Sequence, residues 1–425
     1  MWSNWTGDQS CSPARRAEPS SVAEVAAVVR EAAAQGQGVR VVGAGHAFGD
    51  NVLTDGTLIS LDRLSGIQVV DRPAGRVRVS AGTRLFRLNE LLDDHGLALA
   101  NLGDINVQSA AGAISTATHG TGAKLGNLAT LVESMELVTA DGSIVELSGE
   151  DLRAGRVSVG ALGVVTAYTL RAVPSFRLHE RRDRLPLTQV LAELDAYADG
   201  NDHFEFFVFP HAPDALTKEL NRTEAPIKAS GRAKAYVDEV IVENRILDLV
   251  CRAGRRFPSA IPRLNRMVTG LAGASERVDV SHHVFSSPRL VRFTETEWAF
   301  PREACADALT DILARIDRRR LDVNFPLEVR FVAADTESML SPSYGRPTAY
   351  IAAHMYAGMP WQELFTEVET VAAAYGARPH WGKRHTLGAD TLSGLYPEFE
   401  EFREVRKRLD PTGVFANAHV ERLFG

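Results

Sequence analysis

Apolar residues near the start of the chain recur first at helical and then at strand spacing. Val22, Val25, Ala26, Val28 and Val29 follow Pro19, Ser21 and Glu24 stand in capping-box positions, and Gly36 closes the run. The pattern predicts a helix from Ser21 to Gly36, then a strand Val39–Val42 and another at 58–61. Residues 67–70 and 77–80 read as a hairpin across Pro73-Ala74-Gly75, and a helix from 83 to 95 is stopped by Gly96. Strands return at 131–139 and 143–147 around Asp141-Gly142, a favoured hairpin turn, and again at 164–171. This α+β block ends near Val173-Pro174, where a domain boundary is expected.

The second half predicts a helix at 187–198, an aromatic strand at 204–209, a strand at 292–298 and a helix at 303–318. Strands at 325–333 and 348–356 and a helix at 361–375 follow, whereas residues 213–288 are the least legible part. The last segment, Leu409-Asp410-Pro411 to Gly425, is expected to pack back on the first domain. There is no internal repeat or low-complexity tract.

Composition narrows the field. At 425 residues, 45% apolar and 24% charged, the chain has material for two or three domains with real cores. A formal net charge of -7 argues against a nucleic-acid partner. Cys11, Cys251 and Cys305 are odd in number and far apart, which fits neither a disulfide framework nor a metal site. The N-terminus lacks the order of a signal peptide and no apolar run is long enough to span a bilayer, so a cytoplasmic protein is expected.

The candidate chemistry starts at Val42-Gly43-Ala44-Gly45-His46-Ala47-Phe48, directly after a strand. Glycines let a backbone approach a ligand's phosphates. A nicotinamide fingerprint would need a third glycine at 48 and a helix starting there, but the residue is Phe48, loop residues follow, and the helix precedes the strand. Two readings of His46 stay open: an imidazole bonded to a ligand, or an incidental neighbour of a turn. Residues 109–122 are almost all small, with hydroxyls at Ser109, Ser115, Thr116, Thr118 and Thr121; they serve either close ligand approach or tight packing between sheets. Two such runs in one domain suit an elongated dinucleotide. Further on, Glu328 and Arg330 share one strand face, opposite Phe325, Leu327, Val329 and Phe331; this is either a solvated face or a site. His354 shares a face with Tyr350, Ala352 and Tyr356, and Lys383 stands in the basic turn His380-Trp381-Gly382-Lys383-Arg384.

These residues resemble the vanillyl-alcohol-oxidase family of flavoproteins, in its aldonolactone and alditol oxidase branch. Val-Val-Gly-Ala-Gly-His46 is similar to the branch's turn whose histidine bonds the flavin 8α-methyl group, and Ala-Thr-His119-Gly-Thr-Gly122 to its second flavin loop. Glu328-Val-Arg330, Ala-Ala-His354 and His-Trp-Gly-Lys383 match its C-terminal motifs, and residues 200–210 look most like the bacterial L-gulono-1,4-lactone dehydrogenases. The resemblance implies an α+β fold: a two-subdomain FAD-binding domain at 1–174, and at 175–425 a cap with an antiparallel sheet flanked by helices. It implies FAD held covalently through His46 and contacted by Val42, Gly43, Ala44, Gly45, Ala47, Gly103, Asp104, Ser109, Gly112, Thr116, Thr118, His119 and Val165.

The same resemblance makes Glu328, Arg330, His354 and Lys383 the catalytic set, with Tyr356 toward the substrate and no metal. Hydride would pass to the flavin from a carbinol of an aldono-1,4-lactone such as L-gulono-1,4-lactone, with oxygen, a quinone or a cytochrome as acceptor. Ala47, Asp104 and Tyr356 depart from the branch's Ser, Ser and Thr, the last two against an alditol substrate. Gly103 stands where Ala is associated with blocked oxygen. An alditol oxidase and a non-catalytic flavin or carbohydrate binder are the alternatives.

Overall fold

The computed structural model describes residues 1–228, 244–245, 247–287 and 289–425. Ser21 caps the helix Val22–Ala34 by accepting from the Glu24 amide, and Gly36 takes the left-handed conformation (φ 64°) that ends it. This helix, the parallel trio Arg15–Ala17, Thr57–Ser60 and Val39–Val42, and a five-stranded antiparallel sheet enclose one core. The sheet runs in the order Ile144–Leu147, Val132–Val138, Val164–Arg171, Arg76–Ser80, Ile67–Asp71.

The second core lies on one face of an eight-stranded sheet. Its order is Ser275–Val280, Arg177–Pro186, Asp214–Thr223, His203–Val208, Leu327–Val332, Thr348–Tyr356, Phe293–Pro301, Arg378–Pro379. Helices Cys305–Arg319 and Gln362–Ala374 cover that face with Leu309, Ile312 and Ile316 and with Val368 and Val371. The opposite face of the central strands, carrying Glu205, Glu328 and Arg330, looks into the cleft toward the first core.

Three expectations need correction. The helix at 187–198 is two, Leu187–Ala192 and Leu194–Gly200, because Glu193 leaves helical geometry (φ -111°, ψ 19°). The stretch at 213–288 contains the strands Asp214–Thr223 and Ser275–Val280 and the helices Leu247–Arg256 and Ile261–Leu271; residues 229–243, 246 and 288 of it lie outside the described residues. The return of the chain onto the first core starts before Leu409: Leu392, Tyr396, Phe399 and Phe402 are already buried there with Leu423 and Phe424. The strand Arg177–Pro186 gave no periodic signal because its polar side chains are paired in place, as where buried Glu180 meets Arg182 and Arg277.

No helix among the described residues is long and apolar enough to cross a membrane. The three cysteines are free thiols, two of them buried.

Candidate active site

The strand Val39–Val42 delivers the glycine turn to the floor of the cleft. A Cβ on Gly43 would sit 2.3 Å from Ser109 Oγ, so only glycine lets the turn lie against the start of Ala110–Ser115. Gly45 is left-handed (φ 69°), which turns the backbone so that the following ring stands beside Trp5, 4.9 Å between centroids and nearly parallel. Burial, with Lys383 and Arg84 nearby, pushes the His46 pKa down to about 4, so the imidazole is neutral and keeps a nitrogen lone pair. Beneath the turn, Arg40 donates to the carbonyls of Asn51, Val159, Gly160 and Phe415, tying three other segments to this strand.

The second loop forms the adjoining wall. Ala117 is left-handed (φ 55°), and the His119 ring lies on Tyr350 at 3.7 Å. His119 Nδ1 donates to the Gly120 carbonyl at 2.8 Å, while Nε2 stands 3.2 Å from Glu297 Oε1. A Cβ on Gly103 would lie 3.1 Å from the His119 carbonyl oxygen.

The roof is built by strand register. Lys218 stands opposite Glu205, and Glu205 opposite Arg330, so three alternating charges cross three strands in one row. Glu205 accepts from Arg330 Nε at 2.8 Å and meets Lys218 Nζ at 2.8 Å. The other edge of Arg330 reaches Glu328 and Asp104, the latter at 2.8 Å, and Asp104 also pairs with Arg289. Burial together with the charges of Asp104 and Glu205 outweighs Arg330 and pushes the Glu328 carboxyl up to about 8. Asp104 goes the other way: burial opposes its charge, but Arg330, Arg289 and Lys218 hold it well below the usual carboxylate range.

His354 lies opposite Glu295 in register, with Nε2 3.5 Å from Glu295 Oε1 and 3.9 Å from Glu328 Oε2. Its Nδ1 donates to the Pro326 carbonyl at 2.9 Å, and burial lowers its pKa. The ring is therefore neutral with its free lone pair on Nε2, facing the cleft. Lys383 donates to Glu295 Oε2 at 2.6 Å and stands 3.8 Å from Glu297. Burial would lower its pKa, but the two glutamates raise it, leaving a fixed ammonium. Burial opposes the ionised form of Glu297, and His119 and Lys383 overcome it.

Of the residues singled out from the sequence, Glu328, Arg330, His354 and Lys383 line this cleft with every turn and loop residue named as a cofactor contact. Tyr356 does not. It ends its strand, and its hydroxyl donates to Asp248 at 2.7 Å beneath Arg255. Asp104 lines the cleft, but its carboxylate faces the cap's cations. Glu205, Lys218, Arg289, Glu295 and Glu297 were missed. For all but Arg289, which lies outside the strands, the signal was a charged residue inside a strand, as in Phe-Thr-Glu295-Thr-Glu297-Trp-Ala-Phe, where a buried pair of glutamates two apart repeats the spacing of Glu328 and Arg330.

A dinucleotide flavin fits these residues. The floor closes against Ser109 only if glycine occupies position 43, and Gln108 Oε1 and Asn51 Oδ1 are buried in the lining without a hydrogen-bond partner. Across the cleft stand a neutral base, two strong cations and a protonated carboxyl, a donor set for polyhydroxylated substrates.

Comparison with known proteins agrees. The family model for D-arabinono-1,4-lactone oxidase matches residues 168–423, and an FAD binding domain matches 13–148. The L-gulono-1,4-lactone dehydrogenase of Mycobacterium tuberculosis is 47% identical over 100% of this chain and 99% of its own. The L-gulonolactone oxidase of Bos taurus is 34% identical (99% and 97%), and an alditol oxidase of a Streptomyces species 32% (99% and 98%). The fold is that of the cholesterol oxidase of Brevibacterium sterolicum, with a TM-score of 0.82 at 17% identity over 100% of this chain and 96% of that one. The chain belongs to the D-arabinono-1,4-lactone oxidase family of FAD-binding proteins.

Proposed function

We propose that the cleft oxidises a carbinol of an aldono-1,4-lactone, such as L-gulono-1,4-lactone, with FAD held by residues 1–174 and tethered covalently through His46. One juxtaposition carries the reading: a neutral imidazole on a glycine turn shares a cleft with Glu328, Arg330, His354 and Lys383, brought from the cap. When bound, the flavin supplies the acceptor for the carbinol's hydride.

The chain's own groups do the rest. His354 Nε2 takes the hydroxyl proton, since its Nδ1 proton is committed to Pro326. Arg330, held by Glu205 and Asp104, donates to a substrate oxygen. Glu328 adds a neutral donor while protonated. Lys383, fixed by Glu295, offers the cation that a ring gaining negative charge requires. Gly103 stands where Ala is associated with blocked oxygen in the family it resembles, which favours oxygen as acceptor, with a quinone or cytochrome as the others.

Anaerobic addition of L-gulono-1,4-lactone should bleach the flavin faster than xylitol does, and readmitted air should restore the colour. Faster bleaching by xylitol would assign the enzyme to alditols, and no bleaching by either would leave a binder. Acid precipitation should give a yellow pellet; a colourless pellet beneath a yellow supernatant would refute the tether.

A further inference from the structure

Asp104 comes from the flavin-side loop, yet its carboxylate is spent on the roof. It pairs with Arg289, lies 2.8 Å from Arg330 Nη2, and stands 3.9 Å from Lys218 Nζ. Its backbone carbonyl also accepts from the Ser287 amide at 3.0 Å, fixing the loop beneath these cations. Arg330 and Lys218 are buried, and both line up on the same strand row through Glu205. Asp104, Glu205 and Glu328 cluster closely enough to hold a cation, but Arg330 and Lys218 already supply that charge among them. What remains is the geometry of an oxyanion site, two or three donors converging on one carboxylate, whose occupant is part of the chain.

We propose that Arg330, Lys218 and Arg289 form a carboxylate subsite that Asp104 fills from within, and that this filling selects ring-closed lactones against the open-chain aldonates formed from them by hydrolysis. The inference rests on the lactone-oxidising reading of the cleft. Addition of water to a lactone releases a proton and leaves a carboxylate in place of the uncharged ester. A neutral lactone can enter beside Asp104 and accept from the donors on Arg330. An aldonate brings a second carboxylate to cations that are already paired, and meets like charge at a buried site, where such a juxtaposition is costly. Asp104→Asn or Asp104→Ser removes that charge, so that an incoming carboxylate can take its place beside Arg330, Arg289 and Lys218.

The test uses the flavin-loaded enzyme and sodium L-gulonate as probe, read by perturbation of the flavin absorption spectrum in the absence of turnover. The parent should give no saturable change. Asp104→Asn should bind L-gulonate at least about tenfold more tightly than the parent, and adding Lys218→Met should reverse most of the gain. Asp104→Ser carries the same expectation should the amide variant fail to fold. A variant that keeps its flavin and still bleaches with the lactone, but binds L-gulonate no better than the parent, would overturn the proposal while leaving the lactone reading intact. A parent that the lactone does not bleach would remove that reading; a gain of L-gulonate binding in Asp104→Asn would still establish the subsite.

Discussion

Gly43 and Glu328 illustrate two ways in which a single residue commits this cleft. At Gly43 the constraint is steric. An alanine methyl would stand 2.3 Å from Ser109 Oγ and 3.2 Å from Ser109 Cβ. Gly43→Ala should cost about 1–3 kcal/mol in urea unfolding and weaken flavin retention. The double variant with Ser109→Ala should recover flavin retention and only part of the stability, since the 2.3 Å contact disappears but so does the cap that Ser109 Oγ gives the Gly112 amide. At Glu328 the constraint is electrostatic. Its folded pKa of about 8 lies above the ordinary 4.5, so the native state holds a proton that the unfolded chain releases. That contribution is complete below the ordinary carboxylate range and is lost as pH rises through about 8. The apoprotein's melting temperature should therefore fall across that interval, more steeply than in Glu328→Gln. kcat/KM for the lactone should fall over the same alkaline limb, and the limb should be missing in the variant.

At the scale of elements, the site is a product of register. Lys218, Glu205 and Arg330 are far apart in sequence, and pairing of Asp214–Thr223, His203–Val208 and Leu327–Val332 places them side by side. A slip of one residue would turn all three toward the helices. Because the row is buried, removing its central charge takes away one of the two carboxylates that Arg330 and Lys218 share, leaving Asp104. Glu205→Gln should lower stability by about 3–5 kcal/mol, measured as a shift in the urea midpoint, and lower kcat/KM through a looser Arg330. The strands of this row were unequally legible. The aromatic run of His203–Val208 and the alternation around Glu328 were plain, whereas Asp214–Thr223 was missed, because Lys218 and Glu219 interrupt its apolar period. Its polar residues are answered by neighbouring strands, and that answer is invisible to a local pattern.

Over the whole molecule, the C-terminal segment completes the first core. Phe424 is fully buried, 4.8 Å from the Phe402 ring and 6.0 Å from Trp381, and Trp381 is two residues before Lys383. Phe415 offers its carbonyl to Arg40, under the glycine turn. Phe424→Ala should destabilise the protein by about 3–5 kcal/mol, and flavin loss should accompany unfolding at lower temperature. A thermal melt followed both by tryptophan fluorescence and by flavin release would check this.

What the sequence determined by itself is the chemistry carried in short spans. The glycine turn with His46, the small-residue loop, Glu328 with Arg330, and the turn at Lys383 all show because a backbone approach or a shared strand face needs particular residues a few positions apart. Only the tertiary structure decided the partners. It gave Asp104 to Arg330 and Arg289, Glu295 to Lys383 and His354, and Tyr356 to Asp248. Charge pairing and burial depend on distances across sheets and between domains, and those distances, rather than residue type, fix which carboxyl keeps its proton and which holds a cation in place.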